Sequence, residues 1–72
     1  MAAYGLLVWS TPGATLGLVV KDGIVVDAPP YARRWALGRS ARELWREGRE
    51  RGVDVTWIPA EDPTEGLNNE AG

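Results

Sequence analysis

The apolar positions of this chain follow two different periods. From Ala3 to Trp9 they form a nearly continuous run of aromatic and branched residues, which suits a strand. Ser10-Thr11-Pro12-Gly13 interrupts it with turn chemistry: proline presets φ and glycine accepts a left-handed position. A second run spans Leu16 to Lys21 and a third Ile24 to Asp27, separated only by Asp22-Gly23. Asp-Gly between β-branched runs predicts a two-residue type I′ hairpin. In that register Val20 faces Val25, and Leu18 faces Asp27.

After Ala28-Pro29-Pro30 the period lengthens. The two prolines remove ladder donors and end the third strand. Tyr31 to Leu37 is either one helical turn or an ordered loop. Ser40-Ala41-Arg42-Glu43 then has the form of a capping box, which predicts a helix from Ser40 to about Arg51 with Gly52 as its left-handed terminus. Val53 to Ile58 is the fourth strand, stopped by Pro59. These elements define an α+β fold, β-β-β-α-β, in which a small antiparallel meander is followed by one helix packed on the sheet. The last strand lies beside the first, giving order 4-1-2-3, or beside the third. A parallel fourth strand would need a right-handed crossover. The domain spans residues 1–59. The acidic segment 60–72, with no basic residue, is expected to be disordered.

The predicted helix has three faces at about 100° per residue. Ala41, Leu44, Trp45, Gly48 and Gly52 form the apolar one, and Gly48 in its centre reads as a packing glycine that permits close approach to a strand. Arg42, Arg46 and Arg49 form a second, and Glu43, Glu47 and Glu50 a third. In the sheet, apolar residues fall on both sides. In the hairpin Leu16, Leu18, Val20 and Val25 oppose Val19, Ile24 and Val26; in the first strand Tyr4, Leu6 and Val8 oppose Leu7 and Trp9; in the last Val53, Val55 and Trp57 oppose Thr56 and Ile58. One helix can roof only one of these surfaces. Either Tyr31 and Trp35 plug the second, or it is an interface for self-association.

Charge sharpens the picture. Of eight basic residues, seven are arginines between Arg33 and Arg51, although the formal net charge is -2. The candidate partner-binding residues are therefore Tyr31, Arg33, Arg34, Trp35, Arg39, Arg42, Arg46 and Arg49, as a single cationic patch with a semi-exposed tryptophan anchor. Guanidinium groups suit carboxylate or phosphate through paired donors. The plainer alternative is a solvated face in which Glu43–Arg46 and Glu47–Arg51 pair on the surface. From Ala28 to Gly52 seven arginines meet three glutamates, an excess of four. That is modest for nucleic acid, which stays the second choice of partner. Trp45 and Trp57 read as core.

Catalytic chemistry is hard to place on this chain. It has no cysteine and no histidine, its serines and threonines have no activating base, and Gly13 and Gly17 lack the lysine of a phosphate loop. Asp22, Asp27 and Asp54 show no metal-site spacing. Asp22 is explained by its turn; Asp27, if buried, should pair with Arg33 or Arg34. The expectation is a non-enzyme without catalytic, cofactor or metal residues. No apolar run is long enough to span a bilayer, and the opening residues lack the positive region of a signal peptide, so a cytoplasmic protein without a membrane partner is expected.

Asp22-Gly23-Ile24-Val25-Val26-Asp27-Ala28-Pro29-Pro30, followed by Arg34-Trp35-Ala36-Leu37-Gly38-Arg39, resembles short uncharacterised proteins of actinobacterial bacteriophages and prophages. The similarity runs roughly from Leu16 to Pro59. It implies a small accessory protein that acts inside a bacterial cell by binding a host or phage protein, and it carries over no functional residues. The leading expectation is thus a protein-binding, homo-oligomeric module.

Overall fold

The computed structural model describes residues 4–61. Strands β1 (Tyr4–Thr11), β2 (Ala14–Lys21) and β3 (Ile24–Asp27) form the meander; helices α1 (Pro30–Ala36) and α2 (Ala41–Glu50) follow, and β4 (Asp54–Pro59) closes the sheet. The strand order is β3-β2-β1-β4. β4 lies beside β1 and antiparallel to it, so every neighbouring pair is antiparallel and the condition for a right-handed parallel crossover does not arise. This is the expected α+β fold, with the last strand in the first of the two positions left open above. Of the acidic segment, residues from Asp62 onward lie outside the described residues.

The β2–β3 turn is built as the Asp-Gly pair requires. Asp22 has φ 53° and Gly23 φ 82°, the left-handed conformations of a type I′ hairpin. Val20 faces Val25 as expected, but Asp27 faces Val19 rather than Leu18. Val26 is an extra residue, a β-bulge that advances the register by one. The physical reason is plain at Leu18, which has no exposed surface. An aspartate opposite it would carry a carboxylate into the core at a cost of several kcal/mol unless paired. The bulge moves Asp27 to solvent, where its Oδ1 accepts from Ala28 N and from Arg33 Nη2, both at 2.9 Å.

The two prolines have a second role. Pro29 caps α1 and Pro30 occupies its first turn, where a missing N–H costs nothing. The Tyr31–Leu37 segment is therefore a helix over most of its length. Ala32 and Ala36, four apart, are completely buried against the sheet, and their small side chains let the short helix lie close. Leu37 returns to extended backbone (φ −60°, ψ 133°). Gly38 N then donates to Val25 O at 2.9 Å, Val25 N to Arg39 O at 3.0 Å and Ala41 N to Gly23 O at 2.8 Å. Residues 38–41 thus occupy the outer edge of β3. Ser40 caps α2 by accepting from Glu43 N.

Both helices lie on the same side of the sheet. The core joins Leu7, Trp9, Leu18, Val20 and Val25 to Ala32, Ala36 and Leu44, with Trp45, Val55 and Trp57 packed around them. Helix and sheet come closest where α2 crosses β1 and β4 at Gly48. A Cβ on Gly48 would stand 2.7 Å from Val55 Cγ2 and 2.9 Å from Trp9 Cε2. Glycine in mid-helix costs about 1 kcal/mol against alanine, yet any larger residue would push the helix off the sheet. A similar contact occurs inside β1, where a Cβ on Gly5 would lie 2.7 Å from Trp57 Cζ2.

Gly48→Ala is therefore expected to lower stability by about 1–2 kcal/mol through overpacking, against a propensity gain of about 1 kcal/mol. Urea denaturation measures the difference. A stabilised variant would show that the contact is loose.

Candidate partner surfaces

The sequence offered eight candidate residues as one patch, and the fold distributes them over three places. Arg33 is committed to β3: Nη2 meets Asp27 Oδ1 at 2.9 Å and Nε donates to Ala28 O at 3.1 Å. Arg39 crosses to α2, with Nη2 at 2.8 Å from Glu47 Oε2 and 3.7 Å from Glu43 Oε2. Glu47 also holds Arg51 at 3.2 Å. The expected Glu47–Arg51 pair is present; Glu43 pairs with Arg39 instead of Arg46, because Arg39 precedes α2 in line with the acidic face. The single cationic patch is thus corrected to a divided one. These are surface pairs, each worth at most about 1 kcal/mol, but they use up charge that a partner would otherwise meet.

Among the described residues Arg34, Arg42, Arg46 and Arg49 make no ion pair. The last three form one row along α2, at positions i, i+4 and i+7. Its neighbour on the helix is the half-buried Trp45. Arg49 also lines a groove of about 560 Å³ at the Asp54 end of β4, together with Ser10, Gly52, Val53, Asp54, Val55 and Thr56. The row therefore flanks the outer edge of β4, while the Glu43–Glu47 side turns toward Arg39 at the edge of β3.

Tyr31 and Trp35 share a face of α1 but differ in use. Tyr31 is 71 % exposed. Trp35 is 39 % exposed, and its ring lies 5.6 Å from that of Trp9 at an angle of 37°. Trp35 is partly a lid on the core. Neither residue covers the opposite side of the sheet, since α1 packs beside α2.

That opposite side is the third surface. Leu6 pairs laterally with Val19 and Ile58, Val8 with Gly17 and Thr56, and Ser10 with Thr15 and Asp54. The face is consequently split. Tyr4, Leu6, Val8, Val19, Ile24 and Ile58 make one half largely apolar, with Lys21 between Tyr4 and Ile24 at its end, and with Leu6 36 % and Ile58 46 % exposed. Ser10, Thr15, Asp54 and Thr56 make the other half polar. The pattern of alternation made this surface visible in the sequence, but the division between its halves depends on register.

Alternation separates Trp9 from Tyr4, Leu6 and Val8, but only the position of the helices shows that its side is the covered one. Among the described residues no group of three or more potential metal ligands stands together, and no helix is long and apolar enough to cross a membrane. Comparisons of the chain with protein-family models, with curated proteins and with solved structures find no match.

Trp35→Ala is expected to lower stability by about 1–2 kcal/mol, since the ring pair alone is worth about 0.5–1.5 kcal/mol. Arg33→Ala should cost less than about 1 kcal/mol. Denaturation midpoints separate the two, and a neutral Trp35→Ala would mark that ring as a free anchor rather than a lid.

Proposed function

We propose that the protein is a non-enzymatic protein-binding module whose sheet face opposite the helices, uncovered among the described residues, pairs weakly with a second copy of the chain. The observation that carries this reading is the placement of both helices on one side, which leaves Leu6 and Ile58 exposed within an apolar half-face. Surfaces of this kind mark interfaces. Its size sets the strength. The strands contribute eight, eight, four and six residues, and at about 3.3 Å per residue and about 4.8 Å per strand the face covers roughly 400 Å². A standard interface buries about 800 Å² per partner. The self-association we propose is accordingly concentration-dependent, not an obligate dimer.

A cytoplasmic accessory role on a host or phage protein is consistent with this reading and is supported by the resemblance to short phage proteins. In that setting the same face would bind either its copy or the target.

Sedimentation equilibrium over the micromolar to millimolar range tests the proposal. The expected result is a rise in average mass with concentration, abolished by Leu6→Lys, which places a charge in the centre of the apolar half at a residue outside the core cluster. A monomer at every concentration would overturn it.

A second reading rests on the four arginines without ion pairs: Arg34, Arg42, Arg46 and Arg49 would contact the phosphates of nucleic acid. It requires retention of DNA or RNA at about 50 mM salt with affinity falling steeply as salt rises. Absence of retention there removes it.

A further inference from the structure

The sheet has two edges, and they differ. The β3 edge is occupied by residues 38–41 through the backbone bonds of Val25 and Gly23. The β4 edge has no such cover among the described residues. In an antiparallel ladder, pairs that exchange hydrogen bonds alternate with pairs that do not. Ala60 N donates to Tyr4 O at 3.0 Å, so Tyr4–Ala60 belongs to the bonded set. Counting along the register places Leu6–Ile58, Val8–Thr56 and Ser10–Asp54 in that set too. The backbone groups of Val55, Trp57 and Pro59 therefore point outward. Pro59 has no N–H to offer, which blunts one end of the edge. Val55 and Trp57 each present a donor and an acceptor.

This edge runs beside the arginine row. Arg49 lines the groove at the start of β4, and Arg46 and Arg42 follow on the same face of α2. Asp54 lines the same groove and Glu50 neighbours the row, so the local charge is positive by one when Arg42, Arg46 and Arg49 are set against these two acids.

We infer that the β4 edge is a docking site for an extended segment of a protein partner, added as a fifth strand, in which acidic and apolar residues alternate. The alternation follows from geometry. In an added strand, every second side chain would face the helix side, where the arginines wait, and the others would continue the apolar row Ile58–Leu6–Val19 on the open face. A second copy of β4 is a poor occupant: it would set two arginine rows side by side, and Asp54-Val55-Thr56-Trp57-Ile58-Pro59 lacks the acidic alternation. The site lies beyond the self-association described above and can be filled whether or not the chain pairs with its copy.

The test is titration of the ¹⁵N-labelled full chain with a short peptide of alternating glutamate and valine. Saturable shifts of the Val55 and Trp57 amides are expected. The same peptide with lysine for glutamate should not bind, since it reverses the charge, and N-methylation of the glutamate amides should also abolish binding, since in an antiparallel addition the residues on the helix face are the ones that exchange bonds with Val55 and Trp57. Charge reversal at Arg46→Glu and Arg49→Glu together should weaken binding about tenfold at low salt. Leu6→Lys, on β1 and separated from the added strand by Ile58 of β4, should still give saturable Val55 and Trp57 shifts with the peptide, which separates this site from the self-association. The proposal is overturned if the glutamate peptide does not bind, if the lysine peptide binds equally, if the shifts centre on Leu6 and Val19, or if a DNA duplex displaces the peptide while leaving Val55 and Trp57 unshifted. Should the double variant unfold, the comparison of glutamate and lysine peptides on the native chain decides alone.

Discussion

The indole of Trp9 is the point on which the architecture turns. It sits on the central strand, meets Trp35 of α1 across one part of its ring, and lies against the bare backbone of Gly48 in α2. One side chain thereby sets the height of both helices above the sheet. Its Nε1 is buried with no hydrogen-bond partner among the described residues, a cost of about 1–3 kcal/mol. The fold accepts that cost because no side chain from position 48 can intrude between helix and ring. Apolar contact and close approach outweigh one unpaired donor.

The one-sided arrangement follows from this centre. Trp9, Leu7, Leu18, Val20 and Val25 draw α1 and α2 to the same face, and neither helix is left to cover the other. A chain this short has no further element in its described part to serve as a second layer, so stability and exposure are coupled: the residues that complete the alternation of four strands also create an apolar half-face. The same packing rotates α2 so that its acidic side meets Arg39 and its arginine side borders β4. What the sheet leaves open and what the helix leaves charged are therefore neighbours, and both follow from where Trp9 meets Gly48.

Much of the fold was legible in local chemistry. Asp22-Gly23 specified a type I′ turn because few other pairs tolerate two positive φ values, and Ser40 with Glu43 marked the start of α2 because free amides need an acceptor. Alternation divided each strand into two faces, though which faces join across the sheet depended on register, and Gly48 was recognisable as a contact because nothing else justifies glycine in the middle of an apolar helical face. The bulge at Val26 was not legible. It arises from the cost of setting Asp27 opposite a fully buried Leu18, and that burial exists only once the helices are in place. Pro29-Pro30 read as the end of a strand, which was correct; that they also begin a helix depends on Ala32 and Ala36 finding the sheet.

The candidate site shows the same boundary more sharply. Residue types and spacing by themselves determined an arginine-rich segment, a three-faced helix and a sheet apolar on both sides, because these are properties of short windows with periods of two or 3.6. Only the tertiary structure decided that Arg33 and Arg39 are held by carboxylates from other elements while Arg42, Arg46 and Arg49 are not among the described residues, that β4 borders β1, and that no described residue covers its outer edge whereas that of β3 is covered. Each of those outcomes joins residues distant in the chain, and such pairings are set by which apolar surfaces meet, not by the order in which the residues occur.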